Sequence, residues 1–200
     1  MIPQLQLPAS CSRLLLHSCC APCSGAIIEC LLQNGIRPAV FFSNSNITPL
    51  QEYEKRRDEI RRYAAENGLE CIDDDYDHSL WVQGSADFEG CGSPGLRNEP
   101  ERGARCLQCF KFRLLRAARY AAENGYDALA TSLASSRWKD LSQVDEAGRW
   151  ACSQVEGVTF WAQNWRKGGL QVRRGEIIKE MDFYNQLYCG CEFSKTKNDE

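Results

Sequence analysis

LLLHSCCAPCSG, Leu14 to Gly25, decides how the rest of the chain is read. Residues 13–17, RLLLH, form a continuous apolar run rather than an alternating one, which predicts a short strand buried on both faces. The run stops at a histidine. Two adjacent cysteines follow, then a third after Ala-Pro. Helix-like apolar spacing begins by Ser24 and continues to Gln33 through Ile27, Ile28, Leu31 and Leu32, and Asn34-Gly35 ends it. A buried strand feeding a helix opens a βαβ unit. Here the turn between them carries three thiols.

Working outward, the same alternation recurs. Strands are predicted at 38–42, 69–72, 128–133 and 158–161. Helices are predicted at 50–67, 107–124, 141–153 and 174–181. This order predicts a single α/β domain over 1–200, built on a parallel, doubly wound, Rossmann-like sheet. Residues 73–105 break the pattern as an irregular acidic and Gly-rich insertion with one short helix near 79–82. Residues 182–200 form a cysteine-containing tail. The hexapeptide YAAENG occurs at 63–68 and again at 120–125 with unmatched flanks, so it marks two similar helix ends rather than a repeat array. Ligands of such sheets sit at the carboxyl ends of the strands. His17, Ser18, Cys19 and Cys20 fall at that edge, which predicts a cysteine-rich metal site there.

Composition limits the classes. At 43% hydrophobic residues the chain can bury a core without disulfide staples. Its 12 cysteines in 200 residues fall below the density of a disulfide scaffold. The first residues show no positive n-region, and no run approaches the roughly 20 apolar residues of a membrane span. The expectation is a cytoplasmic protein with no membrane partner, in which clustered thiols bind metal or do redox chemistry. The net charge of −3 gives no sign of nucleic-acid binding, but its distribution is uneven. Residues 97–116 carry six bases against two acids, and 165–179 carry five against one. Such local surfaces bind phosphate, or are ordinary solvated charge. Trp161 and Trp165, with Arg166, Lys167, Arg173 and Arg174, are candidates to stack on and clamp RNA, against a core role for Trp161.

Three cysteine groups stand out: Cys19-Cys20-Ala-Pro-Cys23, Cys106-Leu-Gln-Cys109 and Cys189-Gly-Cys191. A C-x-x-C pair brings two sulfurs to one metal, and a helix start lowers thiol pKa. Two such groups on one sheet edge suit zinc or an iron–sulfur cluster, and the spacing matches neither zinc ribbons nor ferredoxins. Cys189-Gly-Cys191 reads as a strained, cycling dithiol, as two further ligands, or as bystanders. Cys11, Cys30, Cys71, Cys91 and Cys152 read as inert packing. His17 is equally well a core residue. Asp73, Asp74, Asp75 and Asp77 form a solvated acidic loop or bind a hard metal. Two other functions fit parts of the pattern. A thiol–disulfide oxidoreductase built on Cys20 and Cys23 leaves Cys19, Cys106 and Cys109 unexplained. A zinc-binding RNA module leaves Cys189 and Cys191 without purpose.

The stretches LLLHSCCAPCS (14–24), GARCLQCFKFRL (103–114) and KGGLQVRRGEIIKEMDFYNQLYCGCEFS (167–194) together resemble the QueH family of epoxyqueuosine reductases. The resemblance implies a fold similar to adenine-nucleotide alpha hydrolases, with HSCCAPCSG in place of the usual phosphate loop. It implies a cobalamin-independent oxidoreductase for the last step of queuosine biosynthesis in tRNA. That step converts the epoxide of epoxyqueuosine in the anticodon to queuosine, with electrons from a donor. It further implies that Cys19, Cys20, Cys106 and Cys109 hold a 4Fe–4S cluster and that Cys189 and Cys191 are the redox-active pair. A second iron would draw on Cys23 and on Asp75 or Asp77. One departure stands out: TSLASSRWKD (131–140) resembles the family's T-T-L-x-x-S-P-x-K, but Arg137 and Trp138 replace the usual continuation.

Overall fold

A computed structural model describes residues 3–86 and 88–194. Residues 195–200 of the expected tail lie outside the described residues. Strand β1 (Leu14–His17) runs into helix α1 (Ala21–Gln33), then strand β2 (Ala39–Phe42), helix α2 (Leu50–Glu66) and strand β3 (Cys71–Asp73). Helix α3 (His78–Gln83) and a small hairpin, β4 (Gly84–Ser85) and β5 (Phe88–Glu89), follow. The chain then forms α4 (Ala104–Glu123), β6 (Ala128–Thr131), a 3-10 turn at Ser132–Ser135, α5 (Leu141–Ser153), β7 (Thr159–Phe160) and α6 (Leu170–Glu180).

The five main strands form one parallel sheet in the order β3-β2-β1-β6-β7. Every residue of β1, β2 and β6 is buried, because helices cover both faces: α1 with α2 and α6, and α4 with α5. Burying a leucine side chain is worth roughly 1.5–3 kcal/mol, so Leu14, Leu15 and Leu16 anchor the central strand. Close helix–sheet approach depends on small residues. A Cβ on Gly148 of α5 would overlap the Phe160 ring of β7.

The two YAAENG segments end α2 and α4 in the same way. Asn67 and Asn124 turn their side-chain amides back to the carbonyls of Tyr63 and Tyr120 (2.8 and 2.9 Å). Gly68 and Gly125 then take φ of 62° and 70°. The left-handed step falls on the glycine, where no Cβ opposes it.

The structure extends three elements beyond the sequence expectation. Helix α1 starts at Ala21, because Pro22 is tolerated in a first turn. Helix α4 starts at Ala104, which takes both Cys106 and Cys109 into the helix. Helix α6 starts at Leu170, after Gly169 in the left-handed region. Residues 73–105, expected to be largely irregular, are held by specific groups. The Arg105 side chain, 3% exposed, donates to the carbonyls of Leu96, Arg97 and Glu99. Trp81, Phe88, Cys91, Cys109, Phe112 and Cys191 form a satellite core beneath this loop.

The strand order reverses at β1, with β2 on one side and β6 on the other. The strands stay paired through His17 and Thr131, but the connections that follow them leave toward opposite faces of the sheet and open a crevice, the usual ligand position of such sheets.

Candidate metal and redox centre

His17 closes β1 and sets the floor of the crevice. It is fully buried, with Nδ1 2.8 Å from the Thr131 hydroxyl and Nε2 3.1 Å from the Ser43 carbonyl. The carbonyl can only accept, so Nε2 carries the hydrogen and Nδ1 accepts from Thr131. Burial, then the Arg113 guanidinium, pushes the imidazole pKa down to about 3. A neutral ring with both nitrogens engaged is a pin between β1, β2 and β6, which decides between the two readings of this residue. Ser18 is likewise spent, its hydroxyl 2.7 Å from that of Ser24.

The Sγ atoms of Cys19, Cys20 and Cys23 lie within 4.8 Å of one another at the start of α1. The Cys19 thiol is held well below its usual range. Hydrogen bonds from Cys20 and Cys23 are the leading cause, and Lys139 and Arg113 add to them against burial. The Ser132 hydroxyl also donates to Cys19 Sγ (3.3 Å), and the Cys19 N–H donates to Ser132 Oγ (2.9 Å). Burial pushes the Cys20 thiol up. Cys23, donating to Cys19, is raised to about 11. Burial also raises Cys106, and raises Cys109 to about 11. Of these five thiols only Cys19 goes down, through its sulfur neighbours first and Lys139 and Arg113 after them.

Four thiols open on a cleft of about 810 Å³. Cys19 and Cys23 line it from the β1 end, Cys106 from α4 and Cys189 from the tail. Cys109 and Cys191 lie just behind, in the satellite core with Cys91. All the cysteines are free thiols. Among the described residues, the compact thiol group comprises Cys19, Cys20 and Cys23, and neither Cys106, Cys109 nor a carboxylate joins it within 4.8 Å. Asp75 is exposed, and the Asp77 carboxylate accepts from the Leu80 N–H (2.8 Å) as the cap of α3. Asp74 is bound by Arg116 and by the Ser43 hydroxyl (2.6 Å).

The tail is strapped across the crevice. Arg56 of α2, 2% exposed, donates to the carbonyls of Cys189 (3.1 Å) and Tyr188 (3.2 Å) and pairs with Glu52 (2.6 Å). The Thr48 N–H donates to the Gly190 carbonyl (2.9 Å), and Gly190 has φ of 117°. A Cβ there would lie 2.9 Å from Ile47, so the strap needs glycine between its two cysteines. The Gln186 amide donates to Cys20 Sγ. Arg56→Ala is expected to release the strap and leave the largely buried Glu52 carboxylate without its counter-ion, with only the Tyr184 hydroxyl still donating to it, at a cost of about 3 kcal/mol. The check is a lowered urea midpoint together with new proteolysis between 184 and 192. An unchanged midpoint would show that the tail is held by other contacts.

Four side chains that line the cleft escaped the sequence reading. Lys139 lines the cleft, and although burial opposes its charge, the sulfurs of Cys189, Cys19 and Cys23 push its pKa up. Its signal was the lysine ending TSLASSRWK. Arg113 is 2% exposed and donates to Ser43 O (3.3 Å) and to Asn44 Oδ1. It follows Cys106 and Cys109 at helical spacing on one face of α4, which was legible. Arg56 and Gln186 carried no local signal.

The expected RNA clamp is corrected. Trp161 and Trp165 are buried and packed edge to face at 5.9 Å, and Trp165 Nε1 donates to the Thr131 carbonyl (3.1 Å). Arg173 ties α6 to Glu29 (2.6 Å) and to Glu180 (2.7 Å). Among the described residues no helix is long and apolar enough to cross a membrane.

The chain resembles known proteins over nearly its whole length. The pattern of the family described as "Epoxyqueuosine reductase QueH" matches residues 14–197. A protein of that name from Acinetobacter baylyi is 44% identical over 191 residues, covering 96% of this chain and 84% of the relative. Its namesake from Haemophilus influenzae is 43% identical, covering 96% and 75%. That from Thermotoga maritima is 33% identical, covering 90% and 88%. The stretches bearing the converging thiols and the strapped tail all fall inside the matched region, and the chain accordingly belongs to the QueH family of epoxyqueuosine reductases.

Proposed function

We propose that this oxidoreductase removes the epoxide oxygen of epoxyqueuosine in a tRNA anticodon, giving queuosine and water. The observation that carries the reading is the convergence of three thiols at the sheet's switch point, two of them, Cys19 and Cys23, opening on one cleft with Cys106 and Cys189. Alkene formation takes two electrons and two protons, which side chains alone supply poorly.

In this reading Cys19, Cys20, Cys106 and Cys109 hold a 4Fe–4S cluster. The donor set fits, being all sulfur, with Cys19 already favoured as thiolate and cationic Lys139 and Arg113 beside it to balance the anionic group. When bound, the cluster supplies electrons and a Lewis-acidic iron. Cys23, the third converging thiol, is assigned to a second iron; the carboxylates entertained for it, Asp75 and Asp77, do not lie beside it.

The chain's own groups have defined tasks. The Lys139 ammonium faces the cleft and delivers a proton to the departing oxygen. Cys189 and Cys191 close to a disulfide, releasing the two electrons and two protons that the epoxide consumes. An external electron donor then restores the dithiol. Arg102, Arg137 and Arg174 on the cleft wall hold anticodon phosphates. A simple thiol–disulfide exchanger at Cys20 and Cys23 has less support, because both thiols are raised rather than activated.

The test is anaerobic reconstitution followed by turnover of epoxyqueuosine-tRNA with a chemical reductant. Brown protein with about four irons per chain and a nucleoside lighter by one oxygen are the expected results. Protein that stays colourless overturns the cluster. Iron-loaded protein that leaves the nucleoside mass unchanged overturns the reaction.

A further inference from the structure

We propose that Trp138, with Arg137 lying over its ring, is a stacking platform for an unpaired RNA base at the mouth of the thiol cleft. This rests on the reductase reading and deepens it, by naming a residue that positions the nucleotides next to the reacting one.

Of the five tryptophans, only Trp138 is exposed, at 65%. It lies on the cleft wall, and the other exposed apolar residues of that wall are Val172 (68%) and Leu187 (85%). Exposed apolar residues gathered at one cleft mouth mark a binding surface. The loop beneath Trp138 is fixed. Arg102 donates to the carbonyls of Trp138 (2.9 Å) and Arg137 (3.2 Å). Arg166 donates to the carbonyls of Ser136 (2.6 Å) and Lys139 (2.8 Å). Asp140 caps α5 through the Ser142 N–H (2.8 Å). Arg102 holds a left-handed φ of 66° while making these bonds, a conformation that persists only where its surroundings enforce it. The indole is thus presented on a rigid base, with only the Arg137 guanidinium, 4.8 Å from its centroid, against its face.

Charge selects the occupant. Arg102, Arg137, Lys139 and Arg174 line this wall, against Glu101 and an Asp140 already engaged as a cap. A flat aromatic face ringed by cations fits a base attached to a phosphate backbone, and single-stranded recognition uses this pairing. Trp138 falls at the variable position of the T-T-L-x-x-S-P-x-K stretch, just before its lysine, and Arg137 stands where that stretch has proline.

The experiment compares wild type, Trp138→Ala and Trp138→Phe, iron-loaded, with a fluorescently labelled anticodon stem-loop RNA and with epoxyqueuosine-tRNA. Trp138→Ala is expected to weaken stem-loop binding and raise KM about tenfold, with kcat near that of wild type. Trp138→Phe is expected to restore most of the loss, which a structural role at an exposed site would not predict. Equal affinity and KM in all three proteins overturn the platform and leave the reductase reading standing. Trp138-dependent binding without deoxygenation supports the platform and sinks the reductase reading. Self-association abolished by Trp138→Ala, with RNA affinity unchanged, gives the face to a second copy of the chain and overturns the proposal.

Discussion

Replacing Cys106 or Cys109 by alanine is expected to remove iron and activity together, with kcat/KM falling by ~10³-fold or more, about 4 kcal/mol of barrier. The two sulfurs lie on one face of α4 but in different surroundings. Cys106 faces the cleft with the Arg102 N–H on its sulfur (3.3 Å), and Cys109 is enclosed by the satellite core. Burial keeps both thiols protonated when no metal is present, so neither is suited to act alone as a nucleophile. Their value in the proposed reaction lies in ligation. Cys106 is half-buried, and its truncation leaves the fold intact. Cys109→Ala also loses packing, so a thermal melt accompanies the iron measurement. Iron content and colour retained in Cys106→Ala would remove this residue from the ligand set.

Cys189→Ser and Cys191→Ser are expected to give the opposite pattern. Iron stays bound, but no product forms, because neither variant can close the disulfide that releases the two electrons. Cys189 opens on the cleft, whereas Cys191 is buried with its thiol pushed up to about 12, burial being the main cause. That asymmetry suits a pair in which one sulfur is reached from the cleft and the other resolves the bond from behind. The check is a single-turnover assay followed by addition of excess reductant. Multiple turnover by either variant would end the redox assignment. Iron loss equal to that of Cys106→Ala would instead make the pair ligands, the reading left open by the spacing of the two cysteines.

The alternation of buried runs and amphipathic stretches made the parallel sheet legible, because parallel strands covered on both faces lose the polar–apolar alternation that would obscure them. The placement of Cys19 and Cys20 at a strand end followed from the same run. Less legible was anything fixed by distant partners. The loop at 93–99 looked structureless because the group that orders it, the Arg105 guanidinium, lies inside a helix. Trp161 and Trp165 looked available to RNA because clustered arginines followed them, yet both rings are buried, Arg166 is consumed by carbonyls and Arg173 by Glu29 and Glu180, and Arg174 lines the cleft instead. Trp138, in contrast, drew notice only as a departure from a familiar stretch, and its exposure depends on two arginines from elsewhere in the chain. Arg56 meets the tail, and Gln186 of the tail meets Cys20, across more than a hundred residues, a relation that no window along the sequence contains.

The strap that Arg56 holds across the crevice also orders events in time. The sulfurs facing one another in the cleft come from residues 19–23, 106–109 and 189–191, so no nascent chain shorter than about 190 residues carries the whole centre. Contacts of such sequence separation form late, after the loops between them have closed. During synthesis the first three thiols emerge long before their neighbours and must wait beside a sheet that still lacks β6. Assembly of the thiol cleft is therefore the closing act of folding, and any metal proposed for it would enter a finished protein.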